Sequence, residues 1–158
     1  MEKLIIRSHK EFESHVGQEL GVSEFVTITQ EQINKFADAT FDHQWIHVDG
    51  ERAKKEGAFG STIAHGYLTL SLLPYMWDQI VQVENIKMLV NYGIESFRFS
   101  QPVVVNSRIR TRVKLNSVTN LRGISKVHLD VTMEIEGNRK PAFEGDITFL
   151  YNFIYKLI

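Results

Sequence analysis

The chain has 158 residues, of which 43% are hydrophobic and 23% charged, with a formal net charge of -1 at pH 7 and no cysteine. That length suits one domain spanning 1–158, and the charge gives no general pull toward nucleic acid or an anionic membrane. Disulfides and thiol nucleophiles are excluded, and a cysteine-free chain is compatible with a reducing cytoplasm, the expected location.

The first apolar run, Leu4-Ile5-Ile6, is ended by Arg7 and is too short for a secretory leader. Val22, Phe25, Val26 and Ile28 predict a short strand over 22–28. Thr29 is placed to cap a helix, with Glu31 in its first turn and Ile33, Phe36 and Ala37 at helical spacing. Residues 40–48 have no clear period and read as an irregular segment. Asp49 is placed to cap a short helix containing Glu51, Arg52 and Ala53.

Gly57 to Trp77 is the longest stretch free of Asp, Glu, Lys and Arg. Its length invites a membrane-spanning reading. Gly57, Gly60, Gly66, His65, Pro74 and several hydroxyl residues argue instead for a buried helix, starting near Ile63 and covered on most faces. Pro74, which lacks an N–H, should kink or end it. No membrane partner is expected.

From Ile86 the pattern turns to period two. Ile109, Val113 and Leu115 alternate with Arg108, Arg110, Arg112 and Lys114. Val127, Leu129, Val131, Met133 and Ile135 alternate with polar residues. Gly137-Asn138 supplies a turn, and Phe143, Ile147 and Phe149 mark a last strand. The fold class that follows is α+β, with a central helix covering one face of an antiparallel sheet.

The densest polar constellation is Asp42-His43-Gln44-Trp45-Ile46-His47-Val48-Asp49, in a segment without regular period. An aspartate and a histidine five residues apart in an extended segment can converge on one small molecule, one taking a proton and one giving a proton. The plainer reading is an Asx-turn aspartate and a half-buried histidine. A second feature is Gly60-Ser61-Thr62-Ile63-Ala64-His65-Gly66. Gly66 falls in the first turn of the expected helix, where backbone N–H groups lack intrahelical partners and could hold an oxygen that gains negative charge. The plainer reading there is tight helix–sheet packing.

Residues 37–49 followed by Glu51-Arg52-Ala53, Phe59 to Gly66, Leu68 to Pro74, Asn91-Tyr92-Gly93 and Arg98-Phe99 together resemble the MaoC-like dehydratases. The subgroup they resemble most is the one named after nodulation protein N, which contains (R)-specific enoyl-CoA hydratases. The resemblance implies a hot-dog fold, a long helix wrapped in a curved antiparallel sheet. It implies Asp42 and His47 as catalytic pair and Gly66 as oxyanion-hole glycine, with Phe41, Trp45, His65, Asn91 and Arg98 near the substrate. The implied reaction is reversible addition of water to a trans-2-enoyl thioester carried by coenzyme A or an acyl-carrier protein. The implied assembly is a homodimer, with the strand around Asn91 to Phe99 as the joining edge. No cofactor is implied.

Two departures stand out. Phe41 occupies the position where the subgroup usually has glycine. The apolar tail Asn152 to Ile158 runs past the usual end and is expected to extend the last strand or to cover a partner surface. Other signals are weaker. His43, His47, Asp49 and His65 lack a metal-site pattern, so no metal is expected. The row Arg108, Arg110, Arg112 and Lys114 reads as a solvated strand face, with contact to coenzyme A phosphates as its alternative. The rival functions are a hot-dog thioesterase and a non-catalytic thioester-binding subunit.

Overall fold

The alternating C-terminal half does form long antiparallel strands, and the apolar middle packs against them. The computed structural model describes residues 2–154. In chain order the elements are β1 (Leu4–Ile6), α1 (His9–Ser14), β2 (Glu19–Val22), β3 (Val26–Thr27), α2 (Gln30–Thr40), α3 (Trp45–Val48), α4 (Gly50–Glu56), α5 (Gly66–Ser71), α6 (Leu73–Ile80), β4 (Val81–Val83), β5 (Ile86–Phe99), β6 (Arg108–Leu121), β7 (Ile124–Ile135) and β8 (Phe143–Phe153). The main sheet runs β2-β6-β7-β8-β5, with β3 also on β6, while β1 and β4 pair in parallel as a small second sheet. The strand expected over 22–28 is thus split into β2 and β3, both on β6.

Strand β7 shows why the sheet has one wet and one dry face. Val127, Leu129, Val131, Met133 and Ile135 are buried, and the residues between them are half-exposed. The β6–β7 hairpin is closed by Arg122-Gly123, both at positive φ (53° and 97°), as a two-residue turn matched to strand twist requires. On the wet face the three arginines of the expected cation row are paired rather than free. Arg108 meets Glu136 at 2.7 Å, Arg110 meets Glu134 at 2.7 Å, and Arg112 bridges Glu134 and Glu19 at 2.8 and 2.9 Å. Their guanidinium groups are engaged with carboxylates, which supports the solvated-face reading.

The dry face is covered by α5 and α6. Leu68, Leu73, Met76, Trp77 and Ile80 join Val113, Leu129, Phe143 and Phe149 in one apolar cluster. The Trp77 indole N–H donates to the Tyr151 hydroxyl at 2.6 Å, so the largest helix side chain is buried without leaving a donor unpaired. This arrangement is an α+β hot-dog fold.

Three expectations need correction. The helix starts at Gly66, not near Ile63. Residues 62–64 are extended, because Ile63 bridges to Val104 and the Ala64 N–H donates to the Val103 carbonyl. The helix is also not buried all round. Tyr67 is 70% exposed and Tyr75 60%, since the sheet covers one side only. Residues 40–48 are not wholly irregular, for Trp45–Val48 forms a single helical turn. Pro74 acts as expected: the helix breaks at Leu72 and restarts with Pro74 in the first turn of α6, where no N–H is needed. Of the tail, Asn152 and Phe153 extend β8, and residues 155–158 lie outside the described residues.

The caps place the loop that follows. The Thr29 hydroxyl accepts from the Gln32 N–H and the Asp49 carboxylate from the Arg52 N–H, starting α2 and α4 where the sequence places them. Between them, α2 ends at Phe41 in the left-handed region (φ 61°, ψ 16°), with its ring 87% exposed. A side chain there costs about 1–2 kcal/mol, against about 0.5–1 kcal/mol for the extra chain entropy of glycine. Phe41→Gly is therefore expected to raise Tm by about 2 °C in a thermal melt. A fall in Tm would show that the ring is covered by something outside a single chain.

Candidate active site

The left-handed turn at Phe41 swings the chain out of α2 and presents Asp42. The Gln44 N–H approaches Asp42 Oδ1 at 3.4 Å, an Asx-type turn, and the Asp42 side chain remains half-exposed. One helical turn later, α3 directs His47 inward, where it is only 7% exposed. The turn is braced from α2, because Gln30 Nε2 donates to the His47 carbonyl at 2.8 Å while its Oε1 accepts from the buried Thr62 hydroxyl.

His47 Nδ1 lies 2.7 Å from the Ile63 carbonyl. A carbonyl can only accept, so the proton sits on Nδ1, and the neutral ring keeps its lone pair on Nε2. Burial holds the His47 pKa below the ordinary histidine value. The Ile63 hydrogen bond opposes this, the nearby His65 adds to it, and the Asp42 carboxylate opposes it. A neutral imidazole with a free Nε2 can act as a base near neutral pH.

His65 lies directly behind this pair. It is 3% exposed and stacks on His47 with ring centroids 3.8 Å apart and planes 25° apart. Its Nε2 lies 2.9 Å from the Asp42 main-chain carbonyl and 3.9 Å from Asp42 Oδ2. Ligand-type atoms of Asp42, His47 and His65 all fall within 4.8 Å of one another. One water oxygen can bridge two groups so spaced at hydrogen-bond distance. A cation fits less well. One nitrogen of each ring already donates to a carbonyl, which leaves one lone pair per ring.

His47 opens onto a cleft of about 510 Å³, lined also by Ile63, Gly66, Tyr67, Thr69 and Phe99. Gly66 is the first residue of α5, so its N–H and that of Tyr67 have no partner within the helix and carry its positive end. A Cβ on Gly66 would meet the Phe99 ring at 2.9 Å. This glycine therefore allows tight packing against β5, and its N–H at the cleft wall has no partner within the helix.

The remaining residues expected near the substrate are spread more widely. Phe41 stands in solvent. Trp45 carries the Arg52 guanidinium 4.5 Å over its ring and borders a smaller pocket. Asn91 lines a second cleft of about 410 Å³ with Leu70, Leu73, Ile94 and Phe149. Arg98 is exposed and paired in register with Glu144, on the wet face. His43 binds exposed Asp38 at 2.8 Å instead of joining the cluster. Sequence reasoning missed Gln30 and Thr62, and only a helix-start glutamine and a lone threonine could have signalled them.

Comparisons with known proteins identify the family. Residues 11–136 match the family described as MaoC like domain. The chain is 50% identical over 127 residues to 3-hydroxyacyl-thioester dehydratase Z of Mycobacterium tuberculosis, covering 80% of this chain and 83% of that protein. It is 46% identical over 143 residues to nodulation protein N of Rhizobium leguminosarum bv. viciae, covering 89% and 88%. Among solved structures, it superposes on the (R)-hydratase from A. caviae involved in PHA biosynthesis with a TM-score of 0.68 at 23% identity, covering 85% of this chain and 94% of that one. With a family match over most of its length and these two relatives, the chain belongs to the MaoC-like dehydratase family.

Proposed function

We propose that this protein is an (R)-specific enoyl-thioester hydratase, equally a (3R)-hydroxyacyl-thioester dehydratase, acting through Asp42, His47 and Gly66. The observation that carries the reading is a buried His47 whose Nδ1 is committed to the Ile63 carbonyl, in a cluster where ligand-type atoms of His47 and Asp42 lie within 4.8 Å, beside a bare helix-start N–H. A water held between Asp42 and His47 gives a proton to His47 Nε2 as its oxygen bonds to C3. The C2–C3 π electrons move onto the thioester, and the Gly66 N–H meets the charge that develops on its oxygen. The imidazolium returns the proton to C2. The net change is one C–O and one C–H bond gained from one water, with nothing else consumed.

A thioesterase would instead need water aimed at the carbonyl carbon, which this site holds against the Gly66 N–H. The relatives that bear dehydratase and hydratase names support the reading, and so does the second cleft. It begins one turn further along α5, and its apolar walls suit an acyl chain, with Asn91 at its edge. Coenzyme A or an acyl-carrier protein serves as the handle. The whole chain works as one domain and needs no cofactor. No helix among the described residues is long and apolar enough to cross a membrane, and a cysteine-free protein suits the cytoplasm.

The working form is a homodimer joined through β5. This strand is one edge of the sheet, and Met88, Val90, Tyr92, Ile94 and Phe99 on it are all exposed apolar or aromatic residues. Such an edge is a template for a second copy, and a two-fold contact joins like to like.

Four outcomes are expected. Crotonyl-CoA or longer trans-2-enoyl-CoA should lose its enoyl-thioester absorbance and yield the (R)-alcohol. Release of free thiol without hydration would mark a thioesterase. Asp42→Asn and His47→Gln should each lower kcat by at least about a hundredfold. In the wild type, kcat/KM should fall in acid with a midpoint below about 6.5, because the depressed His47 pKa keeps the base form to lower pH. Light scattering at micromolar concentration should give twice the chain mass, and Ile94→Lys should shift it toward the monomer. An active wild-type monomer would refute the assembly.

A further inference from the structure

His65 makes an arrangement that local stability does not favour. It is the N-cap of α5, a position where Ser, Asp or Thr would bond to a first-turn N–H, yet its side chain makes no capping bond. The ring turns away and sends its Nε2–H to the Asp42 carbonyl. The carbonyl fixes this tautomer, so Nδ1 carries a lone pair, and that atom is buried with no partner among the described residues. An unsatisfied buried acceptor is a real cost. The ring also fills the space between Phe36, 4.9 Å away by ring centroids, and His47.

Resting on the hydratase reading above, we propose that His65 is a positioning residue that ties Asp42 and His47 to the start of α5. One side chain contacts the peptide of the aspartate and the face of the histidine, and its own next residue is Gly66. The three groups that must meet one substrate are thus referred to a single ring. Asp42 sits in a half-exposed turn after a strained residue, and its long-range bond to the rest of the site is the one from His65. Removing that bond frees the turn without emptying the cleft.

The groups that face His47 are Asp42 from the turn, His65 from the start of α5, and Tyr67 across the cleft. The segment after β5 contributes only uncharged residues to the cleft. Phe36, from α2, faces His65 and is uncharged. Burial first, and the nearby His65 as well, hold the His47 pKa down, so losing the second ring should let His47 charge more readily.

Two substitutions separate the functions of the ring. His65→Phe keeps a flat ring against His47 and Phe36 and removes the N–H. His65→Gln keeps an N–H near the Nε2 position and removes the ring. His65→Phe should lower kcat about tenfold, the worth of one such bond, with KM within about twofold. His65→Gln should recover most of that loss and raise the midpoint of the His47 imidazole titration followed by NMR in the substrate-free protein. Equal kcat for wild type and His65→Phe, or an equal fall in both variants with an unchanged His47 titration, would overturn the proposal. Should the Phe variant fail to fold, His65→Asn takes its place, since its shorter side chain does not reach the Asp42 carbonyl. If the wild type hydrates no enoyl thioester, the hydratase reading fails, and the His47 titration in His65→Gln still decides the role of His65.

Discussion

The chemistry of this site depends on one main-chain oxygen, the carbonyl of Ile63. It accepts from His47 Nδ1 at 2.7 Å and so leaves Nε2 as the basic nitrogen. If Ile63 were helical, its carbonyl would point along the helix axis and be shared with the next turn. It is free for His47 because residues 62–64 are extended and pinned on both sides. The Ile63 N–H bonds to the Ile46 carbonyl, the Ala64 N–H to the Val103 carbonyl, and the Val105 N–H to the Thr62 carbonyl. Each bond is worth only about 1 kcal/mol net. Together they set which nitrogen carries the proton, a consequence larger than their contribution to stability.

The same extended stretch determines where α5 can begin. It delivers the chain to His65 and Gly66 at the cleft wall, and the glycine lets the Phe99 ring close against the helix start. Burial of His47 follows from that closure and from Gln30, which holds α3 by its carbonyl. Desolvation then keeps the imidazole neutral, the form a base requires. Backbone geometry, packing and protonation state are thus successive results of one short strand-like segment.

Much of this is legible in the chain. The period-two pattern from Ile109 to Ile135 specifies half-buried strands, because side chains alternate faces by geometry alone. Thr29 and Asp49 announce their helices because their side chains replace a missing backbone acceptor locally. The Asp42–His47 spacing, with Gly66 behind it, marks the proposed site. The pattern misplaces the helix start because the bonds that hold Ile63 and Ala64 extended come from Ile46 and Val103, residues distant in sequence. No local propensity reports them. The expected placement of Arg98 and Phe41 near the substrate rests on adjacency in a motif, and adjacency does not fix direction. Arg98 alternates to the wet face opposite Glu144, and the left-handed turn at Phe41 throws its ring outward. The Arg122-Gly123 hairpin carries a glycine signal that its arginine obscures, since arginine at positive φ is uncommon.

Charge pairing on the sheet also bears on the site. The wet face is closed by Arg108–Glu136 and by the chain from Arg110 through Glu134 and Arg112 to Glu19. Those pairs are solvated and add little stability individually, but they leave that face with little apolar surface to bury. Many of the exposed apolar side chains lie instead on β5, an edge strand. That strand also supplies Phe99 to the first cleft and Asn91 and Ile94 to the second. A second copy docking there would cover the edge and, with the same strand, wall both clefts. Water would then be excluded from the acyl path while the turn at Asp42 stays open to the water that reacts. On the proposed dimer, assembly and catalysis would share β5, because this apolar edge strand is also the one whose Phe99 packs at the start of α5.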